Sequence, residues 1–215
     1  MNDTTPPNRC RIVLIAPSGV SADRVRSALA GGDVASLILP QYDLDEAAFQ
    51  AWVEPIAATA QALGVAVVIA GDTRIAGRVK ADGLHVETGK AGLLEAIDDF
   101  QARMMVGCGG AKTRDDALEL GEAQPDYIFF GRFGYDTKPE AHSRNLSLGQ
   151  WWAEMVEIPC IVLAGSELAS VEAVAATGCE FVALSAAVFA EGVDPAQAVA
   201  RANALLDETA PRFED

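Results

Sequence analysis

The chain contains 215 residues, half of them apolar, and its 16 basic and 31 acidic residues give a formal charge of −15. A chain of this length can bury roughly 70% of its unfolded surface within one domain. The acidic balance argues against nucleic acid or an anionic membrane as the main partner, because cationic side chains drive both kinds of binding. The longest uncharged stretch, Pro55 to Gly71, is too short for a membrane-spanning helix.

The N-terminal sequence and the cysteines indicate a reducing compartment. Met1 to Arg11 lacks the basic and then apolar profile of a secretory signal, so we expect a cytoplasmic protein. Because the cysteines show no Cys-x-x-Cys spacing, we expect free and mostly buried thiols, and no structural zinc site. The cysteines are Cys10, Cys108, Cys160 and Cys179.

Eight short apolar runs alternate with segments of helical periodicity. Most are continuous rather than alternating, which is typical of parallel strands covered on both sides. The predicted strands are Arg11–Pro17, Val34–Pro40, Val65–Gly71, Gly83–Glu87, Met104–Gly109, Tyr127–Arg132, Cys160–Gly165 and Phe181–Ser185.

Several helices between these strands have recognisable ends. Asp45–Leu63 repeats its apolar residues at the helical period, and Pro55 is expected to kink it. The third helix, Thr73–Lys80, must be short.

Polar residues at three helix starts predict caps. Thr113 with Asp116 forms a capping-box pattern before the fifth helix, and Ser166 is expected to cap the seventh. Asp194 followed by Pro195 predicts the start of the last helix.

Eight strand and helix units in about 200 residues predict a (β/α)8 barrel, the TIM barrel, over residues 11–209. The flanking residues 1–10 and 210–215 are expected to be tails, the first of them flexible. A doubly wound open sheet is the competing fold. It usually needs fewer strands, and the first turn, Ala16–Gly19, is not a dinucleotide-binding fingerprint.

In such a barrel the functional residues follow the carboxyl ends of the strands. The loops after the seventh and eighth strands often hold a phosphate on backbone N–H groups. Gly165, Ser166 and Ser185 stand at these positions. The alternative is that Gly165 is only a turn and Ser166 only a cap.

The loop after the sixth strand, residues 131–138, is long, polar and typical of a mobile flap. Its cations, Arg132 and Lys138, stand at the mouth of an otherwise acidic protein and indicate an anionic small molecule as ligand; solvated loop charge is the alternative. Lys112 does not form a P-loop, because Ala111 precedes it where that motif has glycine.

Six segments occur along the chain in a recognisable order: Lys80–His85, Met105–Gly109, Pro125–Gly131, Asp136–Lys138, Ile158–Gly165 and Gly178–Ala186. In order and spacing they resemble the thiamine phosphate synthase and thiazole tautomerase superfamily, over roughly residues 65 to 200. The resemblance implies a (β/α)8 barrel. For the synthase, it implies that a thiazole phosphate displaces pyrophosphate from an aminopyrimidine diphosphate to give thiamine phosphate.

The resemblance also implies site residues. The family's phosphate cradle corresponds to Gly165, Leu184 and Ser185, and the lysine of its flexible loop corresponds to Lys138, the candidate catalytic residue. We add further candidates for binding the phosphate: Ser166, Thr137, Arg132 and Gly109.

The half-site for magnesium and pyrophosphate departs from the family pattern. Leu37–Gln41 lacks both cations of the family's Gln-x-Arg-x-Lys run, and Ala70–Gly71 replaces Asn-Asp, leaving only the adjacent Asp72. After the fourth strand, Glu87–Lys90 replaces Gly-Gln-x-Asp, so a magnesium ligand has become lysine. Each lost electrostatic contact is worth about 10²–10³ in rate, which argues against ordinary Mg²⁺-dependent turnover. Asp72 and Glu87 could hold Mg²⁺ only in a shifted site.

The tautomerase branch needs a proton relay and no magnesium. Its histidine after the sixth strand is Arg132 here, and an arginine cannot shuttle protons near neutral pH. His142 could substitute or be solvated, and His85 is expected to be a hydrogen-bonded core or wall residue.

Two hypotheses follow from the sequence. In the first, the protein is an enzyme of thiamine or thiazole phosphate metabolism with a remodelled half-site. In the second, it is a catalytically inactive homologue that binds a phosphorylated ligand or has a regulatory role. A homodimer stays an open alternative.

Overall fold

The computed structural model describes residues 7–213. The strands are β1 (Arg11–Ile15), β2 (Ser36–Pro40), β3 (Ala66–Ala70), β4 (Gly83–Val86), β5 (Met105–Cys108), β6 (Tyr127–Phe130), β7 (Cys160–Leu163) and β8 (Phe181–Leu184). The helices are α1 (Ala22–Leu29), α2 (Glu46–Ala62), α3 (Thr73–Arg78), α4 (Gly89–Phe100), α5 (Arg114–Gly121), α6 (Ser143–Met155), α7 (Ser170–Ala175), α8 (Ala186–Phe189) and α9 (Pro195–Thr209).

The eight strands form one closed parallel barrel in chain order. Closure joins β1 to β8, where Leu14 lies opposite Leu184, while Leu14 also lies opposite Leu37 of β2. The predicted (β/α)8 barrel is therefore confirmed, and the open sheet is excluded. The strands are shorter than their apolar runs because residues at one or both ends of each run belong to the loops.

The apolar residues pack in two layers, one inside the barrel and one between barrel and helices. This division explains the continuous apolar runs, because alternate residues of a strand face opposite sides and both sides are dry. The inner layer consists of Val13, Ile15, Ile38, Val68, Tyr127, Phe129, Ile161, Leu163 and Ala183.

At the amino end of the barrel, carboxylates hold three pairs of neighbouring strands together. In each pair, the residue just before an even-numbered strand accepts the N–H of a residue in the preceding strand. The pairs are Asp82 with Val67 at 2.8 Å, Asp126 with Val106 at 2.7 Å and Glu180 with Cys160 at 2.8 Å.

Several local predictions are confirmed. Thr113 and Asp116 form a reciprocal capping box, the Asp194 side chain caps α9, and α3 has only six residues. The four cysteines are free and buried. Helix α2 contains Pro55, but the kink expected there stays a prediction. Within residues 7–213, no helix is long and apolar enough to cross a membrane.

The ordered structure extends beyond both expected tail boundaries. Arg9 and Cys10 are buried, and the Arg9 guanidinium donates to Asp207 at 2.8 Å. Asn8 donates to the carbonyl of Phe213 at 3.1 Å. These contacts correct the boundaries at residues 10 and 210, because the segments beyond β1 and α9 pair with each other. Residues 1–6 and 214–215 lie outside the described residues.

Candidate active site at the carboxyl end of the barrel

The loop between β6 and α6, residues 131–142, crosses the carboxyl end of the barrel, and we call it the strap. Near its start, the Arg132 guanidinium lies over the ring of Tyr135 at 3.8 Å. Gly134 adopts a φ of +76°, and a Cβ atom added to it would lie 3.9 Å from the ring of Tyr42, which follows β2. The strap therefore reaches across the mouth before it turns toward β7 and β8.

The strap binds the backbone that follows β7. The Ser166 N–H donates to the Lys138 carbonyl at 2.7 Å, and the Glu167 N–H donates to the Pro139 carbonyl at 3.3 Å. A Cβ atom on Gly165 would overlap the Pro139 carbonyl, so only glycine allows this close approach.

The strap also binds the backbone that follows β8. The Asp136 carboxylate accepts the Ala186 N–H at 2.5 Å, and only 7% of Asp136 is exposed. The hydroxyl of Tyr42 donates to the Ala16 carbonyl at 3.0 Å. The pKa of Tyr42 is raised, mainly by burial of its hydroxyl and secondarily by the nearby charge of Asp136. A buried carboxylate thus occupies a backbone donor at the predicted phosphate site.

The predicted cradle residues gather here, but they offer backbone rather than side chains. Leu184 is fully buried in the outer layer, and Ser185 is buried as the residue before α8. The Gly165 N–H donates to Ser170 Oγ at 2.9 Å.

The cap predicted at Ser166 is wrong. Helix α7 begins only at Ser170, after a turn in which the Ser170 N–H and hydroxyl both donate to the Glu167 carbonyl. Residues 166–169 form bends and turns next to the strap instead of the first turn of a helix.

The polar strap side chains are exposed. Thr137, Lys138 and Arg132 all face solvent, and no carboxylate of residues 7–213 pairs with either cation. Lys138 therefore remains available to an anionic ligand.

A buried histidine lies on the opposite side of the mouth. His85 Nδ1 is 2.9 Å from the Tyr127 hydroxyl, and burial raises the pKa of Tyr127, so this hydroxyl stays protonated and can donate. Which of the two atoms donates depends on the tautomer of the imidazole. Among the described residues Nε2 has no hydrogen-bond partner, and Glu87 Oε1 lies 3.9 Å away.

Two glycines leave space for the His85–Tyr127 pair, and two phenylalanine rings pack against His85. A Cβ on Gly107 would overlap the Tyr127 ring, and one on Gly109 would lie 2.9 Å from His85 Nε2. The rings of Phe129 and Phe133 pack edge-on against His85. Gly109 therefore lies beside the histidine, not beside the cradle residues.

A cavity of about 680 Å³ opens next to His85 and extends between β4 and α4. Four acidic residues and one basic residue contribute to its lining, so its charge is predominantly negative. The charged lining residues are Asp43, Glu87, Glu95, Asp99 and Arg132.

The candidate magnesium ligands are engaged elsewhere or isolated. Asp72 caps α3, and its carboxylate lies 2.7 Å from the Arg74 guanidinium, which lowers the pKa of Asp72. The Glu87 side chain is 41% exposed, and among residues 7–213 His85 alone lies within ion-pair range of it. Lys90 is bound to Glu122 at 2.6 Å. No group of three or more acidic, histidine or cysteine residues within 7–213 could hold a metal ion.

His142 serves a structural purpose in this structure. Its Nδ1 accepts the Arg144 N–H at 3.2 Å and caps α6, while the side chain is exposed. This bond takes the ring nitrogen that faces the helix.

The sequence predicts no functional role for Tyr42, Tyr127 or Asp136. Asp136 lies in a recognised motif, but its bond to Ala186 spans 50 residues and has no local signal. The inward direction of Tyr127 follows from strand alternation, yet its pairing with His85 depends on the barrel register.

Known proteins resemble this chain over most of its length. A family model described as thiamine monophosphate synthase matches residues 12–188. The thiamine-phosphate synthase of Rhodospirillum centenum is 30% identical over 202 residues, covering 92% of this chain and 98% of that protein. That of Hyphomonas neptunium is 30% identical over 221 residues, covering 98% and 100%.

Solved structures agree with the fold. A thiamine phosphate pyrophosphorylase from Pyrococcus furiosus superposes with a TM-score of 0.79 at 18% identity, covering 94% of this chain and 98% of that chain. The Thermoplasma acidophilum (S)-3-O-geranylgeranylglyceryl phosphate synthase, in complex with sn-glycerol-1-phosphate, gives 0.67 at 15% identity, covering 94% of each chain. With the family model spanning β1 to α8, the chain belongs to the thiamine monophosphate synthase family.

Proposed function

We propose that the protein binds a phosphomonoester of the thiazole phosphate type beside β7 and β8, and that it lacks the family's magnesium-dependent displacement of pyrophosphate. The observation that carries the binding half is the bond between the Asp136 carboxylate and the Ala186 N–H. A backbone donor that already holds a buried anionic oxygen is suited to a phosphate oxygen.

Further donors support the same position. The N–H groups of Ser166 and Glu167 point to strap carbonyls rather than into regular structure, so a ligand that displaces the strap finds several donors together. Lys138 lies on that strap with an exposed ammonium group, which can pair with a phosphate.

The charge of the cavity near β4 argues against binding of a diphosphate. A diphosphate needs cations or a metal, but four carboxylates and one guanidinium line the cavity near β4. That guanidinium, of Arg132, already lies over the Tyr135 ring.

The residues present do not fit the magnesium ion that the family implies. Mg²⁺ requires near-octahedral oxygen ligands, usually carboxylates, and Asp72 is held by Arg74 and by the start of α3. Glu87 alone is too few, and Lys90 stands where the resemblance expects the other carboxylate. We therefore assign no step to a metal.

A second candidate is the complete synthase reaction. The similarity to proteins named thiamine-phosphate synthase over nearly the whole chain favours it. In that case the thiazole phosphate would displace pyrophosphate from an aminopyrimidine diphosphate here as well.

Calorimetric titration and a turnover assay test the proposal. We expect thiazole phosphate to bind without magnesium, pyrophosphate with magnesium to give no heat above dilution, and no thiamine phosphate to form from the two substrates. Magnesium-dependent pyrophosphate binding together with product formation would establish the second candidate instead. Absence of thiazole phosphate binding would contradict the first half of the proposal.

Replacing Lys138 locates the ligand. We expect Lys138→Ala to weaken thiazole phosphate binding by about tenfold, because it removes one charge-assisted contact worth roughly 1.5 kcal/mol. Lys112→Ala is the matched control, since Lys112 is also exposed but follows β5. Equal dissociation constants for wild type and Lys138→Ala would reject this role for Lys138.

A further inference from the structure

The donors of the proposed phosphate site are already occupied by atoms of the strap. Carbonyl oxygens of Lys138 and Pro139 take the N–H groups after β7, and the Asp136 carboxylate takes the N–H after β8. Asp136 is the charged member of this set. Its oxygen therefore resembles the oxygen of a bound phosphate more closely than the carbonyls do.

The burial of Asp136 shows that this contact is built into the fold. A buried carboxylate is stable only when charged or polar groups compensate for lost hydration. No cation of residues 7–213 lies within 4.0 Å of Asp136, so the Ala186 N–H provides this compensation. The Tyr42 hydroxyl cannot provide it by donation, because it donates to the Ala16 carbonyl.

We propose that Asp136 is an internal competitor for phosphate: its carboxylate fills the Ala186 donor when no ligand is bound, and a ligand phosphate must displace it together with the strap. This inference rests on the proposed phosphomonoester site. Asp136 thereby sets which ligands the site accepts. A free monocarboxylate offers the same group as Asp136 without its local concentration and cannot compete, whereas a phosphate offers more charge and three acceptor oxygens.

The expected change in phosphate affinity depends on the strength of the hydrogen bond between Asp136 and the Ala186 N–H. When a protein must open before it binds, the apparent dissociation constant rises by the inverse of the open fraction. A charge-assisted hydrogen bond of ordinary strength corresponds to about tenfold to one hundredfold. Because an uncharged amide at position 136 holds the strap less firmly, we expect it to strengthen phosphate binding by about tenfold.

The test compares phosphate binding in three full-length proteins at constant ionic strength. Inorganic phosphate is titrated into wild type, Asp136→Asn and Asp126→Asn, with the Ala186 and Ser166 amide signals followed by NMR. Asp126→Asn is the matched control, because Asp126 makes the same carboxylate contact to a backbone N–H at the other end of the barrel. Circular dichroism confirms that each variant is folded.

A fourth protein, Asp136→Ala, leaves the Ala186 N–H without its carboxylate. We expect faster amide exchange at Ala186 in this variant, and restored protection on addition of either acetate or phosphate. In wild type, acetate should leave the Ala186 signal unchanged.

The outcomes separate the inference from the proposed function. A dissociation constant lowered in Asp136→Asn and unchanged in Asp126→Asn supports the inference. If wild type binds phosphate and Asp136→Asn binds it equally or more weakly, Asp136 is no competitor, while the phosphate site stands. If phosphate shifts the Ala186 signal in none of the proteins, the phosphomonoester site itself is rejected, and the inference fails with it.

Discussion

The two ends of the barrel use one interaction for different purposes. At the amino end, Asp82, Asp126 and Glu180 each accept a backbone N–H from the neighbouring strand. At the carboxyl end, Asp136 accepts the N–H of Ala186 in the same way. The first three residues directly precede strands and cannot move without the sheet, whereas Asp136 lies within the strap. The same bond is therefore permanent at one end and displaceable at the other.

The largest effect is expected where the strap meets β7. In Gly165→Ala the added Cβ overlaps the Pro139 carbonyl, so the strap has to leave the rim. We expect a loss of about 2 kcal/mol in the free energy of unfolding, typical of an overpacked site, measured by urea denaturation.

Gly77→Ala provides the control for this substitution. Gly77 lies in α3, and apart from its own stretch of helix no heavy atom of residues 7–213 would lie within 4 Å of a Cβ atom added there, so alanine should be neutral or stabilising by up to about 1 kcal/mol. Equal stability of Gly165→Ala and wild type would mean that the strap does not pack closely against Gly165 after β7.

A smaller effect is expected at the amino end. Glu180→Ala leaves the N–H of Cys160 without its acceptor in a buried strand, at a cost of about 1 to 2 kcal/mol by thermal unfolding. Glu180→Gln keeps an acceptor oxygen and should recover most of the loss. Phosphate affinity should not change in either variant. A change in affinity without a change in stability would contradict the division between the two ends.

The smallest effect is expected from Asp72, whose carboxylate is at the carboxyl end but near solvent. The Arg74 side chain lowers the pKa of Asp72 below its ordinary 3.8, so its contribution is present above that pH and is lost as the pH falls through the lowered pKa. Asp72→Asn keeps the cap and should cost about 0.5 kcal/mol at pH 7.

Urea denaturation at pH 7 and at pH 3 checks the sign of the Asp72 effect. The difference in unfolding free energy between wild type and Asp72→Asn should shrink at the lower pH. A difference that grows on acidification would show that the ion pair with Arg74 does not stabilise the folded state.

Much of the fold could be predicted because its signals are local. Thr113 and Asp116 cap α5 three residues apart, and apolar runs such as Tyr127–Phe130 are parallel strands buried on both faces. The seventh helix start was predicted wrongly: Ser166 has the chemistry of a cap, but it lies in a bend next to the strap and α7 begins only at Ser170. A local cap signal does not decide where a helix begins when a distant segment packs against the same stretch of backbone.

By itself, the sequence determined the alternation of strands and helices, the free thiols, the family resemblance and the positions where cations and carboxylates depart from it. Each of these depends on residue type, on neighbours a few positions apart or on the order of short segments along the chain. Only the tertiary structure decided that Asp136 meets Ala186, that His85 pairs with Tyr127 and that Arg74 holds Asp72 at the start of α3. The first two contacts join distant parts of the chain, and barrel closure and the path of the strap bring them together. The third is local, but which partner a surface carboxylate takes depends on how α3 begins.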